Sequence, residues 1–221
     1  MNIVTFFRQI GLGGVINTIY VNFKTQPLLK ALKFPIITGK NIRFKNLYKG
    51  CIICNKHFAC VRIGVDGGSW EMNSGHISVL RFGDNGKMKC DGFVNICSSF
   101  VINITGKVYL GDNFSSNTGF LLSCEKEIIF GNNTLIGWNV TILDGDGHKI
   151  LQNGKKINHA KSIIIENHCW LAANVTILKG VHLSYDSIVP MGSVVTKSCS
   201  SPNCIFGATN IILKQNINWE I

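Results

Sequence analysis

Between residues 165 and 195 the apolar positions keep a six-residue beat: Ile165, Leu171, Ile177, Leu183, Val189 and Val195. Four residues after the first five of these come Cys169, Val175, Val181, Ser187 and Ser193, all small or β-branched. An earlier run of Phe130, Ile136 and Ile142 keeps the same beat, with Thr134 and Val140 at the same offset. Ile104 and Leu110, with Val108 and Phe114, extend it weakly backwards. A spacing of six fits neither the 3.6-residue helix nor the two-residue strand. It is the period of a parallel β-helix, in which a short strand and its corner use six residues and three sides close one coil. The apolar residue then points into a narrow core and the small residue packs near the corner. Turn residues at 111–113 (GDN), 131–133 (GNN) and 172–174 (AAN) support that reading. The pattern predicts an all-β fold over residues 41–204, with irregular early coils over 42–100, where Ile, Val, Phe and Gly abound but fall out of phase.

The beat breaks after Ile142, because the next rung, Ile165, is 23 residues on, which is not a multiple of six. The chain must leave the coil and re-enter with shifted phase. Asp144, Gly145, Asp146, Gly147 and His148 stand at the exit, where glycine permits the sharp change of direction. The polar, basic stretch that follows predicts an extruded loop over about 145–161, with His148 at its root. Loops held on a rigid scaffold are where function concentrates. Both chain ends also leave the rhythm. Ile3, Phe6, Phe7 and Ile10 fall at helical spacing and predict a short amphipathic helix within a segment of residues 1–40, and the glycines of 11–14 (GLGG) weaken anything longer. Residues 205–221 form a closing segment whose last dozen residues predict a short capping helix, with Trp219 as a packing residue.

Composition narrows the class. A chain of 221 residues with 46% hydrophobic and 15% charged residues suits one folded domain with an appendage and excludes disorder. No stretch approaches about 18 uninterrupted apolar residues, so a transmembrane helix is not expected. Arg8 interrupts the apolar N-terminus and no small-residue cleavage site follows, so a secretory signal is not read. With nine cysteines, this predicts a cytoplasmic protein with free thiols. The net charge of +10 is concentrated: residues 1–60 hold nine Lys and Arg and no Asp or Glu. That leaves two readings open, an anionic partner such as a membrane surface or acidic glycan, or a solvated basic face at a subunit contact. Nucleic acid ranks last, since no binding motif accompanies the charge. Cys51, Cys54, His57 and Cys60 are zinc-compatible types, but structural zinc sites join separated ligand pairs, and these four lie within ten residues. They read as buried small hydrophobes with one exposed histidine, and no metal is expected.

Residues 128–148 (IIFGNNTLIGWNVTILDGDGH) and 162–197 (SIIIENHCWLAANVTILKGVHLSYDSIVPMGSVVTK) resemble the coil motifs of the hexapeptide-repeat acyltransferases, most closely those of bacterial O-acetyltransferases of capsular and lipopolysaccharide sugars. Residues 20–36 resemble the basic leader of that branch, and 205–213 its closing segment, with Gly207-Ala208-Thr209-Asn210 in place of the usual Gly-x-Pro-Ala. The resemblance implies a left-handed β-helix, a homotrimer with active sites between subunits, acetyl-CoA as co-substrate and a sugar acceptor. It implies that His148 is the catalytic histidine and that Asn117 contacts the acceptor. It also places Trp170 beside the acyl donor and Ala173, Met191, Thr196, Lys197 and Lys214 along the coenzyme A cleft.

The chemistry fits those residue types. An alcohol is a poor nucleophile until it begins to lose its proton, and a histidine is matched to that task near neutral pH, worth on the order of 10²- to 10⁴-fold. A carboxylate on the other ring nitrogen would fix the tautomer. Asp144 and Asp146 are the candidates, with Asp144 preferred. Plainer readings stand beside these: turn formers for the two aspartates, a shielded edge residue for Trp170, a corner residue for Asn117, surface charges for Lys197 and Lys214. Cys169 occupies the small inward slot, which argues against an acyl-cysteine route. Competing functions are N-acetylation of a nucleotide-linked amino sugar or small molecule, and a non-catalytic scaffold. Carbonic anhydrase chemistry is disfavoured, because His148, His159, His168 and His182 lack its three-ligand pattern.

Overall fold

The six-residue rungs stack into a three-faced solenoid. The computed structural model describes residues 3–56, 58–65, 76–207 and 211–216, the side chains of 3–9, 213 and 214 excepted. Successive strands visit a first, a second and a third face in turn, and every pairing between coils is parallel except at the C-terminal end. The first face runs from Ile36–Thr38 through Phe114–Ser116 to Trp170–Leu171, Ile188–Val189 and Cys204–Phe206. The second includes Leu121–Cys124, Thr141–Leu143, Thr176–Leu178 and Val194–Val195, and the third includes Lys107–Leu110, Glu127–Phe130, Ile163–Ile165 and His182–Leu183. The fold is the left-handed parallel β-helix of hexapeptide repeats.

Ile165, Leu171, Ile177, Leu183, Val189 and Val195 are all fully buried, as are Cys169, Val175, Ser187 and Ser193. Each buried Ile, Leu or Val stabilises the coil by roughly 1.5–3 kcal/mol. Phe114, Phe120 and Phe130 pack edge to face and tilted inside the middle coils, at centroid separations of 5.0–6.4 Å. Asn113, Asn133 and Asn174 take positive φ (60°, 56° and 58°) at the corners, a conformation that asparagine tolerates.

The weaker early rhythm has a geometric cause. Leu171 pairs with Val189 and Ile177 with Val195, partners 18 residues apart, which is three rungs. Leu110 pairs with Phe130 and Leu122 with Ile102, partners 20 apart. The two extra residues sit at the corner between the second and third faces, so the phase slips at each of these middle turns, while the first coils are longer still, with Ile36 pairing Val61 and Ile52 pairing Met88. At that same corner the loop leaves: Ile142 pairs with Ile177 across 35 residues.

Both ends of the solenoid differ from expectation. The N-terminal helix spans Ile3–Thr25, longer than predicted, with Gly11 breaking it at φ 62° and ψ 178°. Beyond the break it lies along the exposed edge of the first strand, Ile36–Thr38, and its side chains replace a missing coil. Asn22 Nδ2 donates to Ile36 O (2.7 Å) while Ile36 N donates to Asn22 Oδ1 (3.2 Å). Thr38 N donates to Thr18 Oγ1 (3.0 Å), and Gln26 Nε2 donates to Ile52 O on the third face (2.7 Å). An unpaired strand edge is a liability that these contacts remove. At the other end the expected helix is a strand over the described residues: Ile212–Gln215 pairs antiparallel with Cys204–Phe206. β-Branched residues and an open edge favour that outcome. Ala208, Thr209, Asn210 and Trp219 lie outside the described residues. Cys51, Cys54 and Cys60 are buried in the core, where thiols behave as small hydrophobes, and His57 lies outside the description.

Candidate active site

The loop is a two-stranded hairpin, Leu151–Gln152 against Lys155–Lys156, turned by Asn153 and Gly154 at φ 52° and 74°. Asn-Gly at two positive φ values is the turn that matches the twist of paired strands. Its root is tied by Asn158, a buried residue that sequence reading passed over. The Asn158 amide donates to His148 O (2.7 Å) and to Asp146 Oδ2 (2.8 Å), and its Oδ1 accepts from Ile150 N (2.7 Å). Lys179 Nζ reaches the same Asp146 oxygen at 2.5 Å. That ammonium, then the Asn158 amide, hold the Asp146 carboxyl below its ordinary pKa. Gly145 allows close approach, since a Cβ there would meet the Glu125 carboxylate at about 2.5 Å.

His148 is solvent-exposed, and among the described residues its ring has no hydrogen-bond partner. Asp144 does not supply one. Its side chain is fully buried and its two oxygens accept three backbone N–H groups, Glu125 (2.6 Å), Lys126 (2.8 Å) and Glu127 (2.8 Å). The reason lies in the exit itself. In regular coils a corner N–H donates to the coil above, as Thr105 N does to Cys124 O and Lys107 N to Lys126 O. Where the chain leaves at 144 those carbonyls are gone, and buried N–H groups need acceptors. Asp144 replaces the missing coil, so the orienting role expected of it finds no support in this geometry.

The other predicted residues fall at two corners. Asn117, Ala173 and Met191 stack at the corner between first and second faces, joined by Asn117 N to Ile136 O, Asn174 N to Trp138 O and Gly192 N to Ala173 O. Trp138, unremarked in the sequence, belongs to the same stack. Met191 is 68% exposed and Ala173 is buried. Trp170 is half-buried in the outward row of the first face, between Leu135 and Ile188. Thr196 and Lys197 are exposed at the second–third corner, in the coil after Lys179 and on the side of the loop root. Lys161, whose N–H donates to Asp144 O, adds a third lysine to that column. The Lys214 side chain lies outside the described residues. Cys169 is buried and its thiol is pushed up to about 12 by that burial, which suits packing and not nucleophilic attack. Within one chain the two corners are separated by the width of a second-face strand, roughly 10 Å for three residues.

Comparison with known proteins agrees with the resemblance read in the sequence. No family model matches the chain. The galactoside O-acetyltransferase of Lactococcus lactis is 34% identical over 122 residues, 54% of this chain and 58% of that protein. The polysialic acid O-acetyltransferase of Escherichia coli is 32% identical over 143 residues, 63% of this chain and 44% of that protein. The crystal structure of the polysialic-acid-specific acetyltransferase NeuO superposes with a TM-score of 0.64 at 26% identity, covering 83% of this chain and 74% of that one. The chain is thus similar to galactoside and polysialic acid O-acetyltransferases over about half its length, and it shares the β-helical fold of the solved acetyltransferase. The chain spans about half the length of the curated relatives it matches.

Proposed function

We propose that this chain is an acetyl-CoA-dependent O-acetyltransferase acting on a hydroxyl of a bacterial surface polysaccharide or its precursor, with His148 as general base. The observation that carries the reading is an exposed imidazole whose backbone is locked by Asn158 at the root of a loop, on a scaffold shared with sugar O-acetyltransferases. His148 takes the acceptor's hydroxyl proton as that oxygen bonds to the thioester carbonyl carbon. The carbon–sulfur bond then breaks and the proton passes to the departing thiolate, leaving an acetyl ester and a free thiol. Backbone N–H groups of the coil suit the transient oxyanion. The lysine column at 161, 179 and 197 suits the phosphates of coenzyme A.

The split between corners supports a homotrimer. A corner carrying His148 and Lys197 on one copy, set against a corner carrying Asn117, Ala173 and Met191 on the next, completes a site that neither corner makes alone. An acceptor sugar and a cytoplasmic location fit this reading.

The test is transfer of labelled acetyl from acetyl-CoA to crude surface glycan and lipid-linked precursors, followed by mild alkali. The wild-type protein should label the acceptor, the label should come off in alkali, and His148→Ala should lower the rate about 10²- to 10⁴-fold. Alkali-stable label would mean an amide and an amino-sugar acceptor. A His148→Ala variant as active as wild type would end the general-base assignment.

A further inference from the structure

The N-terminal helix is apolar on its exposed side as well as in the core. Its buried side carries Thr18 and Asn22, spent on the edge of the first coil, with Val21 in the core beside them; Thr25 turns back to the Val21 carbonyl, and Gln26, just past the helix, donates to Ile52 O. Its outward stripe carries Leu12, Ile16, the adjacent Ile19 and Tyr20, and Phe23, at three- and four-residue steps of one helical face and exposed by 40% to 79%. The short helix Leu28–Ala31 continues the surface, with Leu29 80% exposed. A helix with no other use for its outer side would carry polar residues there, and a contiguous exposed apolar patch of this kind marks an interaction site. Its surroundings are basic: Lys24, Lys33, Lys40 and Lys45 are exposed, and no Asp or Glu occurs before residue 61. Among the described residues none of these four lysines enters an ion pair. Tyr20 and Phe44 touch at 6.2 Å between centroids, which brings the strand bearing Lys45 against the helix. No described helix is long and apolar enough to cross a membrane.

We propose that this helical face lies on an anionic phospholipid surface, its leucines and isoleucines at the headgroup–acyl boundary and its lysines among the phosphates. Both requirements for interfacial seating are met, an apolar helical stripe and attraction to negative lipid, and lysine stems can bury while their ammonium groups stay in the headgroups. The helix caps the first coil, so the lipid would meet the N-terminal end of the solenoid, several coils from the His148 loop. The inference needs no acyl transfer and stands or falls apart from the reaction proposed above.

Co-sedimentation of the full chain with phosphatidylglycerol–phosphatidylcholine vesicles tests it. The protein should pellet with these vesicles at low salt and remain largely in solution with phosphatidylcholine alone. Leu12→Gln/Ile16→Gln/Ile19→Gln should lower the partition roughly ten-fold or more while leaving the melting temperature unchanged. Lys24→Glu/Lys33→Glu/Lys45→Glu should weaken binding to the anionic vesicles alone, as should salt near ~0.5 M. Failure of the wild-type protein to pellet with anionic vesicles overturns the proposal. So does a glutamine variant that binds vesicles as well as wild type, or one whose sedimentation coefficient changes, which would place the face between copies of the chain.

Discussion

Asp144 and Asp146 stand two residues apart and meet opposite surroundings. Asp144 is sealed inside the corner on three backbone N–H groups, and Asp146 is exposed in an ion pair with Lys179. Removing the first carboxylate orphans buried donors, each costing about 1–3 kcal/mol. Asp144→Ala should therefore destabilise the protein by about 3–5 kcal/mol, read as a large fall in melting temperature, whereas Asp146→Ala should leave the melt nearly unchanged. The pH response of Asp146 has a definite sign. Lys179 depresses its folded pKa, so the contact is fully present above the ordinary aspartate range near ~4 and is lost as pH falls through the lower folded value. The Asn158 side-chain amide resonances should hold constant from pH 8 to about 5 and move only below about pH 4; movement near pH 6 would contradict this. The string of aspartates and glycines marked the exit from the coil in the sequence. Which aspartate faced inward was not legible, because only the stacked coils reveal which N–H groups have lost their carbonyls.

The loop hairpin adds no rung to the core; it is held at its root by one buried amide. Asn158 joins the backbone of His148 and Ile150 to Asp146, so it sets where the imidazole stands. Small displacements of a reacting group cost on the order of 10²-fold in rate. Asn158→Ala should lower kcat about 10- to 100-fold while the KM for acetyl-CoA changes little, which steady-state kinetics at saturating acceptor would show. A variant with wild-type kcat would mean that the hairpin's position is set elsewhere. Nothing in "KINHAK" signals this role, since an asparagine in a polar loop looks like any other. The ladder from Ile165 was plain because its coils keep 18 residues, whereas 20-residue coils shift phase by two at each turn. The helix over Ile3–Thr25 was only half legible: its polar residues serve a strand edge, and its exposed side is apolar where a solvated helix would be polar.

At the scale of the whole molecule the solenoid is closed at both ends, by a helix whose amides imitate a strand and by an antiparallel strand after Cys204–Phe206. The second face is exposed in the single chain. That face is bordered by the His148 corner on one side and the Asn117 corner on the other, and it carries Val101, Leu121 and Val194 exposed along its length. A site assembled from opposite corners of two copies makes a sharp prediction that one assembled across a single face does not. His148→Ala and Asn117→Ala should each be nearly inactive alone. Subunits of the two variants, unfolded together and refolded at equal ratio, should form mixed assemblies in which some sites pair an intact His148 corner with an intact Asn117 corner. Random assortment leaves about one quarter of the sites whole, because the two corners of each site are drawn independently from neighbouring subunits. Recovery of acetyl transfer to about that level would establish sharing between copies. If activity stays at the level of the separate variants while mixed assemblies are confirmed by mass, each chain must hold both residues of its own site, and the second face must be where donor and acceptor meet.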